Sequence, residues 1–284
     1  MELSESLIAI VRHSRHPVVL TGAELSQECG ITPVHHPLPG PWRRYDAMRL
    51  ASPQGFADDP DLVWAWHEWH RAEVLRGLPN SAYWAVAEWG CRDPDLTIIC
   101  QTVDGLHERA GSRNIVNLHG SLHEARCSVC AQPHRLSDFP ADWSDETTRC
   151  PPPACAACGG LVRPGVLWAG EWLQPDTHAR AMLAVDACDL LVCIGTCSLT
   201  HPANRLPLDA IARGVPVIQI NPGPTSLDGV AYRTLHGQAR LILPALLGRA
   251  WEPANVPRSS RVSLTRMTGT VVQRRPPSHW RGRL

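Results

Sequence analysis

Short apolar runs rich in β-branched residues recur along the chain, each closing in turn residues: HPVVLTGA (16–23), DLTIICQT (95–102), CDLLVCIGT (188–196), VPVIQIN (215–221) and ARLILPALL (239–247). None alternates apolar with polar positions, so each reads as a strand buried on both faces. Helical spacing separates them, as in DLVWAWHEWHRAEVLRG (61–77) and SAYWAVAEWG (81–90). Such strands joined by helices predict an α/β fold, a parallel sheet wrapped on both sides. Ligands of these sheets bind beyond the carboxyl ends of the strands. The motifs TGAELS, QTVDGLH, GTCS and INPGPT follow the first four predicted strands in turn and fall there.

Two segments interrupt the pattern. Residues 32–60 are rich in proline and predict a loop or lid, and residues 121–163 hold little that builds a hydrophobic core. At 284 residues the chain is long enough for one large domain with a small insert. The opening MELSESLIAIVRHSRH is a short amphipathic stretch with Glu2 and Glu5 and no cleavable apolar core. No apolar run approaches the roughly 18 residues that span a bilayer, so a cytoplasmic protein is expected.

Basic and acidic residues balance at 27 each, so net charge points to no nucleic-acid partner. The balance fails only at the end. After Glu252 no acidic residue follows, while Arg258, Arg261, Arg266, Arg274, Arg275, Arg281 and Arg283 accumulate, which predicts a disordered basic tail over 251–284. The sequence contains no lysine, so the chain carries no lysine side chain of its own to be acylated.

Eleven cysteines in a reducing compartment argue against a disulfide framework. Cys29, Cys91, Cys100, Cys188, Cys193 and Cys197 lie among apolar segments and are expected as small core residues. The other five cluster. Cys127 with Cys130, and Cys155 with Cys158, form two C-x-x-C turns, the spacing that lets paired thiolates meet one tetrahedral Zn2+. Cys150 offers an alternative to Cys155, and the CGG that begins at Cys158 favours the tighter pair. Four thiolates leave no open position, so one structural zinc per chain is expected.

TGAELSQECGIT, PNSAYWAVAEW, QTVDGLHERAG, NIVNLHGSLHEARCSVC, CAACGGLVRPGVLWAGE, GTCSLTHPANRLP and INPGPTSLD occur in the order and spacing of a sirtuin, and the match runs from about residue 10 to 248. LHGSLHEARCSVC and CGGLVRPGVLW resemble bacterial sirtuins related to the desuccinylase branch. The resemblance implies a Rossmann-like NAD-binding domain (1–120 and 164–250, with 32–90 as lid and helical segment) and a zinc-ribbon small domain (121–163). It also implies NAD-dependent removal of acyl groups from a protein or peptide lysine, releasing nicotinamide and O-acyl-ADP-ribose, with no membrane or specific nucleic-acid partner.

By the same resemblance His119 matches the general base. Asp104 matches the residue holding the nicotinamide carboxamide, with Val103 beside it, and Gln101 reaches the ribose. Gly22, Ala23, Gly195, Thr196 and Cys197 border the dinucleotide, and Asn221 meets the adenosine ribose. Val166, Leu167, Trp168 and Gly170 match the strand that pairs with the substrate peptide.

Departures concentrate in the NAD pocket. The G-A-G turn of the family reads Gly22-Ala23-Glu24, which sets a carboxylate where a phosphate approaches a helix N-terminus. Pro-Thr-Phe-Arg becomes Thr32-Pro33-Val34-His35, and the asparagine of Q-N-x-D becomes Thr102. Cys197 replaces a serine, a stronger donor, and Ala169 replaces a phenylalanine. The Y-x-x-R that clamps acidic acyl groups is His67 and His70, expected as partly exposed helix-surface residues. Three functions follow: a deacylase weakened by its pocket, a catalytically impaired protein binding an ADP-ribose-like ligand or a partner, and, less favoured, an NAD hydrolase or ADP-ribosyltransferase.

Overall fold

The computed structural model describes residues 3–33, 36–137, 149–197 and 203–251. In chain order the strands are β1 (Pro17–Thr21), β2 (Thr97–Cys100), β3 (Ile115–Asn117), β4 (Gly120–Cys127), β5 (Pro133–His134), β6 (Val162–Val166), β7 (Leu190–Ile194), β8 (Val217–Asn221) and β9 (Arg233–His236). Six of them form one parallel sheet, ordered β3-β2-β1-β7-β8-β9, and β5-β4-β6 form a small antiparallel one. Every residue of β1, β7 and β8 is buried, as expected for strands covered on both faces.

Alternate side chains serve opposite layers. Val19, Val192, Ile194, Ile218 and Ile220 pack with the helices Glu5–His13, Pro60–Arg76, Ser81–Arg92 and Ala239–Trp251. Val18, Leu20, Leu191, Cys193 and Val217 pack with Pro175–Ala187 and Arg205–Ala212 on the other side. No helix among the described residues is long and apolar enough to cross a membrane.

Four sequence expectations are corrected. The run 239–247 is helix rather than strand: buried Ala239, Ile242, Leu243, Leu246, Leu247 and Ala250 recur at helical spacing. A short apolar run looks alike in either state, and tertiary packing decides. Pro244 within this helix cannot donate to the Arg240 carbonyl, which accepts the Ser81 hydroxyl at 2.5 Å instead. The outer strands β3 and β9, only three and four residues long, carried too little pattern to be read.

The segment 32–60 is largely built rather than open loop. It contains a 3-10 turn (Gly40–Arg44) and helices Ala47–Leu50 and Pro53–Asp58, which bury Trp42, Leu50 and Phe56. Proline here starts helices, as Pro53 and Pro60 do at the first turn. His67 and His70 are buried, not surface residues. Helix Pro60–Arg76 packs against the main core on one side and, through Trp64, against Ala125 and Val162 of the small sheet on the other, so little of it faces water. Among the cysteines expected in the core, Cys91 is exposed and Cys29 and Cys197 are half-buried, whereas Cys100, Cys188 and Cys193 are buried. Trp251 ends the last helix, and the basic tail from residue 252 onward lies outside the described residues.

Chain order reverses between β1 and β7, the point at which such sheets bind ligands. There the two following loops meet backbone to backbone. Gly22 N donates to Ile194 O at 3.0 Å and Glu24 N to Gly195 O at 3.1 Å. A Cβ on Gly22 would lie 2.5 Å from Gly195 O, and one on Gly195, whose φ is +59°, would lie 2.4 Å from Leu25 N. Gly195→Ala is therefore expected to cost about 2–4 kcal/mol of unfolding free energy. Equilibrium denaturant melts check this, and an unchanged midpoint would disprove the contact.

Candidate functional site

The carboxyl ends of β1, β2, β7 and β8 bring most of the expected residues together. Gln101 follows β2, its N donating to Thr21 O at 3.0 Å and its Nε2 to Thr196 Oγ1 at 3.1 Å. That links the ends of β1, β2 and β7 across the switch point. Asn221 closes β8, and its Nδ2 reaches Gly223 O at 3.4 Å. Asn221 Oδ1 is buried without a partner among the described residues. An orphaned acceptor at this edge suits a ribose hydroxyl. With the close approach of Gly22 and Gly195, these residues fit a dinucleotide laid over the switch point.

His119 lies between the two sheets. Its Nδ1 meets Gln101 O at 2.6 Å, and its own carbonyl accepts from Leu167 N at 2.8 Å. The carbonyl can only accept, so Nδ1 carries the proton and Nε2 keeps a lone pair. The residue is partly exposed, and the burial of its ring lowers its pKa, against the raising effect of the Gln101 carbonyl. A partly exposed histidine held neutral, with only Nδ1 engaged, can accept a proton near neutral pH.

Asp104 is buried on the β2 loop. Its carboxylate accepts from Ser26 Oγ at 2.6 Å and from Leu106 N at 2.9 Å, while burial raises its pKa. Ser26 Oγ also meets Tyr83 OH at 3.1 Å. His123 Nε2 donates to Asp104 O at 3.0 Å, and Val103 O accepts from Leu122 N at 2.9 Å, so this loop is tied to the start of β4. Sequence reasoning missed Ser26, Tyr83 and His123. Ser26 and Tyr83 lie inside quoted motifs, but only the fold turns them toward Asp104. His107, also missed, is buried with Nε2 3.1 Å from Thr21 Oγ1, and burial lowers its pKa to about 3.

The departures have definite places. Thr102 Oγ1 lies 3.1 Å from Cys100 Sγ, so its hydroxyl is engaged beneath the loop. Glu24 and Ala23 are half-buried in the first turn of helix Ala23–Gln27. The Glu24 amide is already held by Gly195 O, and is not free for an anion. Val34 and His35 lie outside the described residues. Cys197 is half-buried in the loop after β7, and Ala169 and Gly170 are exposed. Val166 and Trp168 are buried, and Leu167 is half-buried next to His119.

The four expected zinc ligands converge. The sulfurs of Cys127, Cys130, Cys155 and Cys158 all lie within 4.8 Å of one another, with Cys127–Cys158 and Cys130–Cys158 at 3.5 Å and Cys130–Cys155 at 3.7 Å. Tetrahedral zinc with bonds near 2.3 Å separates its sulfurs by about 3.8 Å, so the cluster fits one Zn2+. The amides of Cys130 and Val129 donate to the Cys127 sulfur and lower its pKa to about 6, toward the thiolate a metal needs. Cys150 stands apart, packed with Trp64, Ala125 and Val162. Purified protein should carry one zinc per chain, kept by Cys150→Ser and lost by Cys155→Ser. Metal analysis by mass spectrometry decides, and the reverse result would make Cys150 the ligand.

Comparison with known proteins agrees with this geometry. The Sir2 family model matches residues 22–202. An NAD-dependent protein deacylase of Methylococcus capsulatus is 49% identical over 247 residues, which cover 87% of this chain and 97% of that protein. NAD-dependent protein deacylase 1 of Pseudomonas aeruginosa is 43% identical, over 87% and 98%. Among solved structures, a Sir2 homologue in complex with NAD superposes with a TM-score of 0.79 at 39% identity, covering 88% of this chain and 94% of that one. A mutant Sir2 homologue bound to 2′-O-acetyl ADP-ribose gives 0.80 at 38%, covering 93% and 100%.

Proposed function

The chain belongs to the Sir2 family, and we propose that it removes acyl groups from protein lysines in an NAD-dependent reaction that releases nicotinamide and O-acyl-ADP-ribose. The observation that carries this reading is His119, pinned through Nδ1 to Gln101 O, with the 166–170 segment hydrogen-bonded to its backbone. NAD supplies the electrophilic ribose carbon and the departing nicotinamide.

The chain's own residues do the rest. Asp104, fixed by Ser26, holds the carboxamide side, and Val103 borders it. Gln101 and Thr196 face the ribose, Asn221 the adenosine ribose, and Gly22, Ala23, Gly195 and Cys197 the phosphates. Val166, Leu167, Trp168 and Gly170 receive the acylated peptide as an added strand. His119 takes the ribose hydroxyl proton on Nε2. The four thiolates hold zinc away from these steps, as a structural site.

His119→Ala should lower deacylation of an acetyl-lysine peptide by about 10²–10⁴-fold while a thermal shift with NAD persists. The base acts in its neutral form, and burial lowers its pKa. The acid limb of the rate profile should therefore fall below the ordinary histidine pKa of about 6.5. A limb above that value would remove His119 from the role.

A second reading, a protein of this fold whose NAD binding is restrained, is favoured by Glu24 alone. A carboxylate about 4 Å from a phosphate charge is repelled by roughly 4 kcal/mol at an effective dielectric near 20, an upper limit for a half-exposed side chain. Glu24→Gln removes only the charge and should tighten NAD at least about tenfold, read by calorimetry beside Glu24→Gly. Equal affinity in wild type and both variants would dismiss the restraint.

A further inference from the structure

His67 is joined to the segment 166–170 by one hydrogen bond that also determines its protonation. Trp168 Nε1 lies 3.1 Å from His67 Nε2. An indole nitrogen can only donate, so His67 Nε2 must be the lone-pair nitrogen. On the opposite side of the ring Nδ1 lies 2.9 Å from Val63 O, which can only accept, so Nδ1 carries the proton. The two contacts fix one neutral tautomer. Burial agrees, holding the His67 pKa down near 3 and that of His70 near 4.

The Trp168 indole is held on its remaining sides too. The Arg163 guanidinium sits 3.6 Å from the ring centroid, and Phe56 packs at 5.3 Å. Glu171 grips Arg163 at 2.5 and 2.9 Å and accepts from Trp168 N at 2.8 Å. Leu167 N donates to His119 O and Ala169 N to Ala51 O, both at 2.8 Å. The segment is therefore anchored along its backbone. Val166 and Trp168 of the segment share a core with helix Pro60–Arg76, and Trp168 makes a hydrogen bond to it, at His67.

We propose that His67 is a positioning residue for the substrate strand, a neutral acceptor that orients the Trp168 indole and thereby sets the 166–170 segment beside His119. The proposal rests on the reading of that segment as the peptide-binding strand. It gives a role to a histidine that does not touch the reacting atoms. The charged groups beside this helix are already paired, Arg163 with Glu171 and Arg71 with Glu68.

The test compares His67→Phe, which keeps ring bulk but removes the acceptor, with His67→Gln, which restores an acceptor oxygen, in the full-length zinc-loaded protein. Binding of a fluorescent acetyl-lysine peptide is followed by anisotropy, which needs no turnover, and steady-state kinetics are measured beside it. His67→Phe should weaken peptide binding and raise the peptide KM about tenfold, with kcat and the NAD KM within about twofold, and His67→Gln should recover most of the loss. Trp168→Phe should weaken peptide binding at least as much as His67→Phe, and adding His67→Phe to it should cost little more, the signature of a shared contact. Equal losses in His67→Phe and His67→Gln, additive losses in the double variant, or a kcat loss with unchanged peptide affinity would each overturn the proposal. Absence of turnover in the wild type with this anisotropy pattern intact would count against the deacylase reading and leave the positioning role standing.

Discussion

Two loops touch backbone to backbone where the strand order of the sheet reverses, the place at which such sheets bind ligands. Gly22 and Gly195 leave no room for a side chain between β1 and β7, and each loop donates to or accepts from the other. That contact aligns the carboxyl ends of β1, β2, β7 and β8. Gln101 then spans it, bonded to Thr21 by its backbone and to Thr196 by its side chain, and its carbonyl orients His119. The His119 ring is thus oriented by a chain of bonds that begins at two glycines. A shift of the switch-point loops would misdirect the imidazole without touching it.

The small sheet is tied to the same loops by separate bonds. Leu122 and His123 of β4 hold Val103 and Asp104, and Leu167 beyond β6 holds His119. A four-cysteine cluster closes the far end of β4 and β6, where a two-residue β5 and a small apolar cluster provide little packing. Metal ligation supplies there what buried area does not. The four cysteines and His119 sit at opposite ends of one short sheet, so the thiolates influence the His119 end by fixing where β4 and β6 lie.

Much of this was legible in the sequence because it depends on local pattern. Two-sided apolar runs announced β1, β2, β7 and β8, and C-x-x-C spacing announced the zinc ligands. What escaped has a common physical cause. The run 239–247 was ambiguous because its helical period shows only once one knows which face meets Ser81–Arg92 and Glu5–His13. His67 and His70 looked like surface residues because a helix packed on both sides carries no amphipathic stripe. Ser26 and His123 meet Asp104, and Tyr83 meets Ser26, from three separate segments that no spacing rule connects.

Among the described residues four histidines have lowered pKa values for the same first reason, burial, and they differ in what remains open on the ring. His67 has both nitrogens engaged, and His107 is sealed against Thr21 with Nδ1 enclosed and unpartnered. His70 is buried among Trp66 and Trp69. Only His119 of the four is partly exposed, with Nδ1 fixed by the Gln101 carbonyl. Burial alone therefore does not mark a base. A lowered pKa supplies the neutral form, and catalysis further requires an unshared lone pair and a path to the substrate, a combination that only the fold assigns.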